Sequence, residues 1–271
     1  MTVPSTMIDT AARRGHPFHI VAPSPWPLLG SIGAFVLAYG AVHFMHGEPP
    51  YIMLGGLAIV LLAMLMWWRD VVRESRSGLA HTRRVRWGLR AGMGLFIVSE
   101  IMFFVAFFWS YFHNAFLFSP VVKSWPPAGT EVFSPWGLPL ANTLILVSSG
   151  FVLMWGRGGL HRANQGRVVK GIAIAAGLGA LFLVLQAVEY GHAPFAFDAN
   201  IYSSVFFMAT GFHGFHVFVG VVFLTVCALR ARRGHFTEDK HLGLQFAEWY
   251  WHFVDIVWLF LFGWFYVYLA L

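Results

Sequence analysis

Glu100 stands midway along a stretch, Ala91–Phe112, that contains no Lys or Arg and places Phe96, Phe103, Phe104 and Phe107 around the carboxyl at helical spacing. Ionisation in such surroundings is costly, so the acid is expected to be protonated unless a cation or several donors hold its charge. Two readings follow: an interhelical hydrogen bond that fixes packing, or a protonic or regulatory role. His213 and His216, three residues apart, share one helical face. Two imidazoles on one helix supply too few ligands for zinc, and no acidic or thiolate partner accompanies them, so hydrogen-bonded packing is the expectation and no metal is assigned. A third set, Glu248, His252 and Asp255, falls at i, i+4 and i+7 and forms one polar stripe. It could relay protons or lie sealed against neighbouring helices. Glu189 and His192 come at the outer end of another apolar stretch, where water and headgroups are expected to solvate them.

The elements that must position these groups are membrane helices. Of 271 residues, 58% are hydrophobic, 18% aromatic and only 11% charged, against about a quarter charged in soluble domains. An ordinary soluble or disordered protein is thereby excluded. Stretches free of Lys and Arg occur at Leu28–His46, Tyr51–Trp68, Ala91–Phe112, Leu138–Trp155, Gly171–Tyr190, Val205–Leu229 and Phe246–Leu271. Each is long enough to cross a hydrocarbon core of roughly 30 Å at about 1.5 Å per residue. Lipid forces the backbone to satisfy its own hydrogen bonds, and continuous apolar runs select helices over a barrel. The expectation is an all-α protein with a tail over residues 1–27 and a seven-helix domain over 28–271.

Seventeen of the 18 Lys and Arg fall in the tail or in the even-numbered connections, and only Lys123 falls on the other side. The positive-inside rule therefore predicts a cytoplasmic N-terminus and an external C-terminus. The net charge of +6 is read as topology and attraction to lipid headgroups, not as a nucleic-acid surface. One cysteine, Cys227, cannot form an intrachain disulfide. The tail shows no apolar core of a cleavable signal peptide, so the first span is the expected insertion signal. No duplicated halves or nucleotide-binding glycine loop is seen, which argues against a transporter built on repeats. The external connection from Asn114 to Gly137, with Trp125-Pro126-Pro127 and Ser134-Pro135-Trp136, predicts an ordered cap on the membrane surface.

Several ordered motifs resemble subunit III of the aa3-type cytochrome c oxidases. They are Ser99-Glu100-Ile101-Met102-Phe103-Phe104 with Phe107-Phe108-Trp109, Trp125-Pro126-Pro127, Leu138-Pro139-Leu140-Ala141-Asn142-Thr143, and Glu189-Tyr190. Met208 through His216 and Trp249 through Asp255 followed by Trp258 complete the set. The resemblance runs from about Trp26-Pro27 onward. It implies a two-plus-five helix arrangement with phospholipid in a V-shaped cleft, and no redox centre in this chain. Haem a, haem a3 and copper belong to the partner subunits I and II, where electrons pass from cytochrome c to oxygen with proton pumping. Subunit III in this family supports proton uptake and protects against turnover inactivation, and the lipid cleft is discussed as an oxygen route. The residue matching Glu100 is the family's carbodiimide-reactive carboxyl. Quinol oxidase subunit III is the related alternative, but that branch commonly lacks the first helix pair. A bacterial inner-membrane location follows as the expectation.

Phospholipid contacts are expected from Arg73, Arg230 and His241, with Trp67 on the acyl chains. Glu100 is expected to bond a histidine of the sixth span. Counting from the cytoplasmic ends puts Glu100 at about 14 Å, His216 at about 20 Å and His213 at about 24 Å, which favours His216.

Overall fold

The computed structural model describes residues 21, 23–77, 81–117 and 124–271, and every regular element among them is helical. Seven helices are long and apolar enough to cross a membrane. They are α1 (Trp26–Met45), α2 (Tyr51–Ser77), α3 (Arg83–Phe116), α4 (Leu138–Arg157), α5 (Gln165–Gly191), α6 (Ile201–Arg232) and α7 (Leu242–Phe262). The last continues through a π-helical turn, Gly263–Val267, into Tyr268–Ala270. The tail before residue 21 and Lys123 lie outside the described residues.

Several helices outrun the apolar stretches that announce them. The apolar limit Tyr51–Trp68 becomes a helix to Ser77, and α3 begins at Arg83 rather than Ala91. At about 1.5 Å per residue α3 is roughly 50 Å long, so its ends reach beyond the hydrocarbon. Arginines suit those extra turns, because their stems lie along the helix while the guanidinium stays among headgroups.

The chain divides into two compact units, one ending at Leu89 and the other running from Arg90 to Leu271. In the first, α1 and α2 approach backbone to backbone. A Cβ at Gly40 would run into the Met53 backbone, and one at Gly56 into that of Leu37. Small residues at a crossing let helices gain van der Waals contact where lipid supplies no hydrophobic drive. Gly47 turns the chain between them at φ +89°, a conformation that glycine adopts without steric cost. The Trp26 indole N–H donates to Asp70 at 2.8 Å, closing the opposite end of the pair.

In the second unit, α4 and α5 meet at Gly156 and Gly171. Trp251 of α7 is fully buried, with its ring filling the space left by Gly179 of α5 and Gly220 of α6. Its indole N–H donates to Ser149 of α4 at 2.8 Å, so one side chain ties four helices. A layer farther out repeats the device: Trp258 donates to Thr143 at 2.9 Å and stands edge-on to Phe182 at 4.7 Å. Helix α3 joins by large rings instead of glycines. Phe104 meets Phe253, Phe108 meets Phe260, and Phe112 meets Trp264, with centroids 6.1, 4.4 and 4.9 Å apart.

Helix ends are satisfied locally. Asn164 accepts from the Arg167 N–H, and Asn200 with Ser203 forms a reciprocal capping box at the start of α6. At the π-turn, the Tyr111 hydroxyl donates to the Trp264 carbonyl at 2.8 Å and that of Tyr202 to the Phe265 carbonyl at 3.3 Å. The described part of the connection between α3 and α4 packs against the helices: Trp125 stands edge-on to Tyr111 and Tyr202, and Phe133 stacks on Phe206. Outward faces stay apolar, with Phe35, Leu65, Leu95, Phe151 and Ile256 all strongly exposed. Such a continuous apolar surface belongs in lipid or against other membrane helices.

Candidate functional site

Glu100 on α3 and His216 on α6 meet, with Oε2 and Nε2 2.9 Å apart. The other imidazole nitrogen, Nδ1, lies 2.6 Å from the Phe212 carbonyl. A carbonyl only accepts, so Nδ1 carries a proton. The Nε2–Oε2 contact is therefore a hydrogen bond between the second imidazole nitrogen and the carboxyl. Phe103, Phe104 and Phe253 surround the imidazole with centroids 5.0 to 6.2 Å away. The acid is the more accessible member, its side chain retaining 23% exposure against 9% for His216. The partner is His216, the histidine that the depth count favours over His213; the offset of a few ångströms in that count arises because α3 and α6 extend beyond their apolar cores.

His213, one turn earlier, is sealed between Phe182 and Trp258 and lies 3.2 Å from the Val254 carbonyl. The two span-six histidines therefore face different partners. Among the described residues no group of three or more His, Cys, Asp or Glu is placed to hold a metal ion.

The polar stripe on α7 faces α4. Glu248, buried, pairs with Arg157 at 2.5 Å. His252 Nδ1 lies 3.4 Å from Asp255 Oδ2. The Asp255 carboxyl occupies the space that a side chain at Gly150 would take. Gly150 of α4 thus admits the Asp255 carboxyl, and Arg157 in the last turn of α4 pairs with Glu248.

Glu189 departs from expectation. It is 2% exposed rather than solvated, and the Tyr266 hydroxyl donates to its Oε1 at 2.5 Å. Position near a span end suggested water, but the π-turn of α7 and the Phe133 segment cover this end of α5. Only the neighbouring helices reveal that burial. The signal available in sequence was the run of small and aromatic residues around it, which does not specify a cover.

The lipid candidates divide between the two units. Trp67 is exposed on α2, and Arg73 on the same helix lies 3.5 Å from Asp70. In the second unit the Arg230 guanidinium stands 4.6 Å over the Phe236 ring, and His241 Nδ1 lies 3.2 Å from the Thr237 carbonyl.

These features define a polytopic α-helical membrane protein whose interior acids and imidazoles are engaged with one another, with arginine, with tyrosine or with backbone. The family model for cytochrome c oxidase subunit III matches residues 16–270. Proteins named cytochrome c oxidase subunit 3 from Marchantia polymorpha and Arabidopsis thaliana are 49% and 47% identical over 253 residues, covering 91% of this chain and 94% of each relative. One from Scyliorhinus canicula is 44% identical over 252 residues, 93% of this chain and 97% of the relative. The chain belongs to the cytochrome c oxidase subunit III family.

Proposed function

We propose that this chain is the subunit III of a proton-translocating terminal oxidase that moves electrons from cytochrome c to oxygen. Subunits I and II would carry haem a, haem a3 and copper, and this chain would carry no redox centre. The observation that carries the reading is the Glu100–His216 pair within the family's motif: an imidazole hydrogen-bonded to an acid that stays partly open at the helix surface. A carboxyl that is hydrogen-bonded yet still reachable fits the carbodiimide reactivity that the family resemblance implies. It would stabilise the subunit during turnover and support proton uptake or oxygen access, rather than reduce oxygen. We place the chain as a multi-pass protein of the bacterial inner membrane, N-terminus cytoplasmic and C-terminus periplasmic; the gathering of basic residues on one side of the helices supports that orientation. Phospholipid is proposed to be held through Trp67 and Arg73 in the first unit and through Arg230 and His241 in the second.

The test is Glu100→Gln in the fully assembled complex. Initial oxygen reduction should remain close to wild type, while activity decays sooner during sustained turnover. Immediate loss of electron transfer would reject the supporting role. For lipid, an Arg73→Ala/Arg230→Ala variant should retain less phospholipid than wild type after identical washing, and equal retention would reject these contacts.

A further inference from the structure

A second polar cluster lies apart from Glu100 and joins α4, α5 and α7. Asn142 of α4 donates from Nδ2 to Gln186 Oε1 of α5 at 3.3 Å. One helical turn on, Glu189 accepts from Tyr266, and Gln186 neighbours both that carboxyl and that phenol. Asn142, Gln186 and Glu189 are 0%, 4% and 2% exposed. Yet Asn142 Oδ1, Gln186 Nε2 and Glu189 Oε2 have no hydrogen-bond partner among the protein's described groups. Rings close around them, with Phe133, Phe206 and Trp258 all within 6.1 Å of Tyr266 between centroids. None of the ion pairs among the described residues includes Glu189.

We infer that this cluster is an internal water site, built around a carboxyl that keeps its proton on Oε2. A buried polar atom left unpaired is unfavourable, and this cluster holds three, one acceptor, one amide donor and one carboxyl oxygen. A water molecule matches that set: it accepts from Gln186 Nε2 and from the Glu189 acid proton, and donates to Asn142 Oδ1. An ionised Glu189 would be a buried charge without a cation, which the surroundings oppose. A monovalent cation is the competing occupant, but the amide N–H of Gln186 points a donor at the same place.

High-resolution imaging of the purified oxidase complex, with potassium replaced by thallium, tests the occupant. An oxygen-sized density about 3 Å from Gln186 Nε2 and Glu189 Oε2, with no thallium signal, is expected. Thallium at the site, or three groups paired directly with no density between them, overturns the inference. Infrared spectroscopy of the same complex tests the proton. The carbonyl band of one protonated carboxyl should be lost in Glu189→Gln and shifted in Tyr266→Phe, and an unchanged spectrum in both overturns it. Should Glu189→Gln fail to assemble, Tyr266→Phe removes a single oxygen and the wild-type density still decides.

Discussion

The Glu100–His216 contact should behave as a coupled unit, and a double-mutant cycle can measure it. Glu100→Leu leaves His216 Nε2, on a side chain only 9% exposed, beside Phe103, Phe104 and Phe253 with no acid to meet it. His216→Phe keeps the ring packing but leaves the carboxyl against an apolar edge. The double variant removes both polar groups together. His216→Phe also removes the Nδ1 bond to the Phe212 carbonyl, and because the double variant lacks it too, that loss cancels in the cycle. Interhelical hydrogen bonds in membranes average about 0.6 kcal/mol and reach about 1.7. The 2.9 Å distance argues for the upper part of that range, while the 23% exposure of Glu100 lowers it. A coupling of about 1 kcal/mol follows, roughly a fivefold change in the unfolding equilibrium. SDS-titrated unfolding of the chain in mixed micelles gives the four free energies. If the two single losses add to the double loss within about 0.3–0.5 kcal/mol, the groups are independent and the hydrogen-bonded pair is refuted.

Other outcomes follow from the packing. Gly220→Val should destabilise the chain by about 1–3 kcal/mol by displacing the Trp251 ring, whereas Gly94→Ala, with open space around it, should gain up to about 1 kcal/mol; the same unfolding titration compares them. Arg157→Met should cost about 3 kcal/mol, because it strands the buried Glu248 carboxylate, and Arg157→Met/Glu248→Met should recover most of that loss. Membrane sidedness can be read by thiol labelling of intact cells. A cysteine at Gly129 should react with an impermeant reagent and one at Gly234 only after permeabilisation, with little background from the fully buried Cys227. The chain purified alone should carry neither haem nor copper in stoichiometric amount, checked by its optical spectrum and metal analysis.

The amino-acid sequence by itself determined the solvent and the elements. Runs of apolar residues as long as a bilayer is thick leave a backbone one economical solution, the helix, and arginines confined to alternate connections are the basis for predicting its direction. It also placed Glu248, His252 and Asp255 on one face, since that follows from helical period alone. What lay outside it was which side chains meet. Glu100 and His216 are 116 positions apart, and Arg157 and Glu248 are 91 apart; each meeting depends on the crossing of two helices. The crossings around α7 use glycines such as Gly150, Gly179 and Gly220, which reveal their purpose only when the ring or carboxyl that fills the gap arrives from another helix. Glu189 makes the distinction sharpest. Its place in the sequence is the end of a span, where water is close. Its burial comes from Tyr266, 77 residues later, brought over it by the π-turn of α7. Depth along one helix is a local property, but exclusion of water requires neighbours on every side, and only the tertiary structure supplies them.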